Sequence, residues 1–335
     1  MKAIKFFAIS AMAAAMITSC SSEDELSQSN YPSDNIVRVT AGVNNAKTRA
    51  EGAGTEMKND FSLTIVNKNA PKYTYTDKVF SKSSGDWACS ETLLWQKSDA
   101  LVDIVAFAPA QTGKFNGVYA NGSIQPIAYS VASDQSTSSA NNDLLYYYAK
   151  DFKPGEGLKD KKLSIQFNHA FCMIDIVVTL GTEFNKPNVL DDSPIVKVTL
   201  GGTKIAANVN VTNAASVVTA SEEAAATDIT TTKGSFTPAE NADKKADPEK
   251  NAISRFSCIA IPQKVAANTF KVSLMTADKL YEWTSDKEIT LQSGYRYTLE
   301  LSMGNDVVLL KGGSDNGGIT ATPWGNGTGG SLETD

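Results

Sequence analysis

From about Asn35 onward, hydrophobic positions fall in short runs rich in Val, Ile, Thr, Tyr and Phe, punctuated by Gly, Asn, Asp, Ser and Pro. Helical spacing is scarce, so the pattern predicts an all-β chain of sandwich type. In the first half it predicts strands at Ile36–Val43, Phe61–Val66, Tyr73–Phe80, Glu91–Trp95, Val102–Ala108, Ile124–Val131 and Leu144–Ala149. The second half supplies Leu163–Phe167, Met173–Thr179, Ile195–Leu200, Phe256–Ile261, Phe270–Met275, Tyr281–Thr284, Tyr295–Ser302 and Val307–Leu310. Alternation in Lys271-Val272-Ser273-Leu274 and at Tyr295, Tyr297, Leu299 and Leu301 turns one face inward and the other to water. Lys150 to Lys162, lysine-rich and broken by Pro154, Gly155 and Gly157, predicts a linker between two sandwiches of similar strand count, 35–158 and 159–335. Between Gly201 and Asn251 bulky apolar residues are few outside Val209–Val211, Val217-Val218 and Ile229, which predicts a long loop with a weak hairpin.

The N-terminal segment follows another rule. Lys2 and Lys5 precede an apolar run, Phe6 to Ile17, that ends in Thr18-Ser19-Cys20. Charge, apolar stretch and small residues in that order mark residues 1–20 as a secretion signal. The run is shorter than the roughly 20 residues that span a bilayer. Small residues directly before Cys20 resemble the bacterial lipobox, after which a peptidase cuts and the cysteine is acylated. Cys20 is therefore the expected lipidation site, and several acyl chains give stable attachment. Residues 21–34 are polar and acidic without periodicity, hence a tether. Ser21 after the cysteine resembles lipoproteins sent to the outer membrane, and Ser22 to Glu25 resembles an acidic surface-export signal; a plain solvated linker is the simpler reading of the same residues.

Composition narrows the chemistry. A chain of 335 residues is longer than one core usually organises, which agrees with two domains. Its 31 basic and 37 acidic residues give a net charge of -6, which attracts no polyanion, so no nucleic-acid partner is expected. His169 is the only histidine, and neutral-pH acid–base catalysis and zinc ligation both lean on that residue type. It reads as a structural imidazole at a strand bend. Gly325 to Gly330 formally fits GxGxxG but precedes no helix, and Asp315-Asn316-Gly317 lacks the ligand alternation of a calcium loop. No catalytic, cofactor-binding or metal-binding residue is expected, and the chain reads as a non-enzyme. Tyr146-Tyr147-Tyr148 with the four tryptophans could build a sugar platform, though strand alternation favours core packing. Without Cys20, three cysteines remain, Cys89, Cys172 and Cys258, which allow at most one disulfide. Cys172 and Cys258 lie in apolar runs and read as buried thiols.

Arg49 sits in a small-residue segment, Asn44 to Gly54, between the first two strands. Such a loop is open to proteolysis; on composition alone Arg49 is an ordinary solvated charge.

These features together resemble the fimbrillin family, subunits of the type V pili of anaerobic gut and oral bacteria, over nearly the whole chain. The residues carrying the resemblance are Thr18-Ser19-Cys20, Lys47-Thr48-Arg49-Ala50, Leu94-Trp95 followed by Val102 to Pro109, Asp134-Gln135-Ser136, Asp143-Leu144-Leu145-Tyr146, Leu163 to Ala170, Gly294-Tyr295-Arg296-Tyr297 and Ile319 to Trp324. The resemblance implies two tandem transthyretin-like β-sandwich domains, exported as a lipoprotein and cut between Arg49 and Ala50 by an arginine-specific protease. It further implies that losing the first strand opens a groove, which a strand of another subunit fills by β-augmentation. The partners so implied are other pilus subunits, the protease, and the outer membrane through the lipid anchor. Gly325 to Asp335 lacks the alternating apolar residues of a donor strand, so any donor includes Val307–Leu310 or Ile319–Trp324. A non-polymerising tip or anchor component, and a monomeric surface lipoprotein binding a glycan or host ligand, are the alternative roles.

Overall fold

The computed structural model describes residues 30–44, 55–57, 59–185, 190–240, 247, 250–305, 308–310 and 319–324. In chain order the strands are β1 (Val39–Val43), β2 (Thr55–Glu56), β3 (Phe61–Asn67), β4 (Tyr75–Ser83), β5 (Asp86–Cys89), β6 (Val102–Ala108), β7 (Tyr119–Ala120), β8 (Ser123–Ile124), β9 (Ile127–Ser130), β10 (Leu145–Phe152), β11 (Leu163–His169) and β12 (Cys172–Leu180). They continue as β13 (Ile195–Gly201), β14 (Ala206–Val209), β15 (Val218–Ala220), β16 (Ile229–Thr230), β17 (Thr232–Thr237), β18 (Ile253–Ala260), β19 (Lys264–Val265), β20 (Lys271–Thr276), β21 (Leu280–Thr284), β22 (Ile289–Thr290), β23 (Tyr295–Met303), β24 (Val308–Leu310) and β25 (Thr320–Pro323). The one α-helical turn among the described residues is Pro154–Gly157. The all-β expectation holds.

An eight-stranded sheet runs β2-β1-β11-β10-β6-β3-β4-β5. Strand β11 turns its corner: Leu163–Phe167 pair in parallel with Val39–Val43, while Asn168 and His169 pair with β10. Further on, β17-β18-β12-β23-β24 form a second sheet, with β25 also on β23, and β16-β13-β20-β21 form a third. A fourth, β15-β14-β9, joins a strand of the first half to two of the second.

Two hydrophobic cores result, and β6 serves both. Ile104, Ala106 and Ala108 enter the core of the first sheet, whereas Val105 and Phe107 enter the other. A strand covered on both faces has no polar side to show, which is why Val102–Ala108 reads as a nearly unbroken apolar run. The polar exception, Asp103, is buried; it accepts the backbone N–H of Asp151 at 3.0 Å and pairs with Lys68 at 2.8 Å. Strand β10 divides its tyrosines the same way, with Tyr146 and Tyr148 against one core and Tyr147 against the other. Core packing of the aromatics, as sequence alternation favoured, is what the structure shows for these residues.

Three segments differ from expectation. Lys150–Lys162 is folded into the first core: β10 continues to Phe152, Leu158 is fully buried, and Gly155 N–H donates to the Ser98 carbonyl at 2.7 Å. Its lysines solvate the outer side of a packed turn, and polarity alone does not tell a linker from such a turn. Sequence set the divide at 158/159, yet Leu163, Ile165 and Phe167 point into the first core beside β1. Glu91–Trp95 makes only an isolated bridge, Ile36 to Leu94, although Leu93 and Trp95 are buried. The strand lies earlier, at β5, closed onto β4 by Ser84-Gly85 with φ of 51° and 97°, the left-handed pair that a two-residue hairpin favours. Within Gly201–Asn251 the hairpin is present as β14/β15, but β16 and β17 also pair into larger sheets.

Candidate assembly interface

Strand β1 lies in the first sheet between β2 and β11. Val37 and Val39 are buried in the first core, with Ala41 and Val43 packed against it. These four positions, two residues apart, share the inward face of an extended chain. Full burial of a valine contributes about 1.5–3 kcal/mol. On one side the strand is bonded along five residues to β11; on the other it meets β2 only at Gly42–Glu56 and Val43–Thr55. Upstream, Val37 N–H donates to Leu93 O at 2.9 Å and Asp34 holds Arg38 at 2.6 Å. Downstream, Asn44 N–H donates to Phe167 O at 2.7 Å and its side-chain amide to Asn168 Oδ1 at 2.8 Å. Arg49 and Ala50 lie outside the described residues, between β1 and β2, which are adjacent and antiparallel. Cys20 also lies outside them.

At the other end of the chain, β24 and β25 lie on the same edge of β23. Val308–Leu310 pair with Leu301–Met303, and Thr320–Pro323 pair with Tyr295–Thr298. They differ in how their side chains are used. Val308 is buried and Leu310 packs against the core, whereas all four residues of β25 are exposed. What anchors β25 sits at its ends. Ile319 is buried, and the half-exposed Trp324 donates its backbone N–H to Gly294 O at 2.7 Å and stacks its indole on His169, ring centroids 3.8 Å apart and 6° from parallel.

His169 Nδ1 lies 2.7 Å from Asp143 Oδ2, and Asp143 Oδ1 is buried with no partner among the described residues. Sequence placed the imidazole at a strand bend, where it is, but found neither the carboxylate nor the indole, which arrive from distant parts of the chain. No metal-holding group of His, Cys, Asp or Glu occurs among the described residues. Cys172 and Cys258 are free and fully buried, and burial pushes both thiols up from their ordinary range. Cys89 is free and half-buried.

A second contact missed by sequence reasoning lies in Asp134-Gln135-Ser136. Gln135 is buried, its amide donating to Ile259 O at 2.9 Å and accepting Ile259 N–H at 2.8 Å. The side chain thus prolongs the edge of β18 where β17 stops. Glutamine was the available signal, being the one side chain of that polar triplet long enough to present both donor and acceptor to a strand.

A fimbrillin-like family model matches residues 48–324. Solved structures of similar fold include a candidate cell-adhesion protein of Bacteroides ovatus, at 16% identity and TM-score 0.59, covering 86% of this chain and 97% of that one. A second candidate cell-adhesion protein, from Bacteroides uniformis, has 16% identity and TM-score 0.57, with coverage of 87% and 100%. A fimbrial protein of Bacteroides vulgatus has 14% identity and TM-score 0.54, with coverage of 86% and 99%. At these identities the likeness is one of fold. Among curated proteins, none matches the chain.

Proposed function

The chain belongs to the fimbrillin-like family, and from that premise we propose that it is a structural subunit of a cell-surface pilus, matured and assembled by exchange of a β-strand. In this reading Cys20 is acylated and holds the precursor at the outer membrane, an arginine-specific protease cuts between Arg49 and Ala50, and β1 is then replaced by a strand of another subunit. The two cores are taken as two units, meeting across β6 and β10 and divided at the β11–β12 crossover.

The observation that carries the reading is the situation of β1. With Val37 just before it, β1 fills the first core through Val39, and its chain continues directly into the segment holding Arg49. Uncut, the strand acts at an effective concentration near millimolar, which a free competitor rarely matches. Once cut, it is held only by non-covalent contacts and can be displaced. A donor must restore the backbone ladder to β11 and place apolar side chains two residues apart. Val308 and Leu310 have that spacing; the four side chains of β25 are exposed, and its release would withdraw only the flanking Ile319 and Trp324 from their contacts.

The test uses the purified full chain and an arginine-specific protease. Cleavage is expected to yield a product beginning at Ala50 that forms elongated oligomers, while uncut protein stays monomeric. Product that begins at Ala50 and remains monomeric, with the excised segment still bound, would overturn the exchange mechanism. Cys20→Ala, followed by membrane fractionation, tests the anchor: the variant should leave the membrane fraction.

A further inference from the structure

Alongside β15 lies an open groove of about 670 Å3, within the size range of small-ligand sites. It is lined by the Ala214–Ala220 segment, by the paired segments around Gln263 and Leu291, and by Tyr146 and Tyr295. Its charge runs against that of the chain. Lys204 and Lys264 are in the lining and no Asp or Glu is, in a protein of net charge -6. Lys204 Nζ donates to the carbonyls of Ser221 at 2.9 Å and Glu222 at 3.1 Å, which leaves one of its three donors. Lys264 is exposed and ion-paired with Glu288 at 3.5 Å, a solvent-exposed pair that an incoming carboxylate can join or replace. The side-chain polar groups of Tyr146, Gln292, Ser293 and Tyr295 bond to no protein group among the described residues.

We propose that this groove binds a short acidic oligosaccharide. The hydroxyls of Tyr146 and Tyr295, whose rings pack against the core, bond to the rim of a pyranose. Gln292 and Ser293 supply the donors and acceptors that ring hydroxyls need, and a carboxylate on the sugar meets the two ammonium groups in charge-assisted bonds. A peptide strand is the weaker fit, since β15 offers a ladder of only three residues, short of the five or six of an ordinary strand. The inference stands on the groove alone and needs no polymerisation.

The experiment applies purified full-length protein to an array of uronate- and sialate-bearing oligosaccharides, each printed beside its neutral parent, with a glutamate-rich peptide as a further spot. Acidic glycans should be retained at least about tenfold more tightly than their parents. Lys264→Glu and Gln292→Ala, both at exposed positions, should each lower that retention by about tenfold with unchanged melting temperature. Retention of no acidic glycan, equal retention of neutral parents, capture of the peptide in place of glycans, or full binding by both variants would each overturn the proposal. Monomeric protein suffices, so failure of the pilus reading would leave this result readable.

Discussion

Gln135→Met removes the amide that closes the end of β18 while nearly conserving side-chain length and volume. In an antiparallel strand the N–H and C=O of one residue point to the same side, so the Ile259 groups that meet Gln135 face away from β12. The thioether can satisfy neither. Gln135 is 1% exposed, so water does not readily take its place, and each orphaned backbone group costs about 1–3 kcal/mol. The Gln135 amide also donates to Ala132 O at 3.1 Å, and losing that bond adds to the effect. Together the expected loss is about 2–5 kcal/mol. Urea titration followed by tryptophan fluorescence and far-UV circular dichroism measures it, the midpoint falling at constant slope if only stability changes. Because Gln135 ties the β9–β10 connection to the second sheet, the two probes should also begin to separate. A loss under about 1 kcal/mol with coincident transitions would refute the reasoning, since a solvated or readily rearranged site costs that little.

Trp324→Ala should destabilise by about 1–3 kcal/mol, less than the removal of a fully buried ring, because the indole is half-exposed and its main partner is the His169 ring; calorimetry showing no change in melting temperature would mean the segment is not docked. Val37→Asp should destabilise the uncut chain by several kcal/mol, a charge replacing a buried valine, and should leave the melting temperature of the purified 50–335 form untouched; equal damage to both contradicts the displaced-strand account. Tyr297 supplies a pH signature. Burial pushes its phenol up to about 12 from an ordinary 10.0, so its contribution is full below pH 10 and lost as pH rises through 12; Tyr297→Phe should flatten the decline in melting temperature across that window.

Much of the fold was legible because sheets write their burial into the sequence with period two. Leu163–Phe167, Lys271–Thr276 and Tyr295–Met303 were readable for that reason, and β6 for the opposite one, an unbroken run that both cores explain. What escaped were features set by distant partners or by single turn residues. Leu158 in a lysine-rich stretch looks solvated until the packed turn around it is known. The Asn121-Gly122 pair, with φ of 51° and 78° between β7 and β8, is a hairpin signal spelled out in the chain, but its strands are too short to show a period. His169, Asp143 and Trp324 are far apart in sequence, and only pairing of β11 with β10 and of β25 with β23 brings them together. Arg49 and Cys20 lie outside the described residues, so the structure adds nothing to how the sequence reads them.

If the first strand is cut away to permit assembly, the N-terminal residue of protein recovered from surface fibres records the cut. Edman sequencing or intact mass of fibre-derived protein from wild-type cells should give Ala50 as the first residue, and Arg49→Ala cells should yield only full-length, membrane-held monomer. Fibres from Arg49→Ala cells that match wild type, or fibre subunits that still carry Val37 and Val39, would contradict the account.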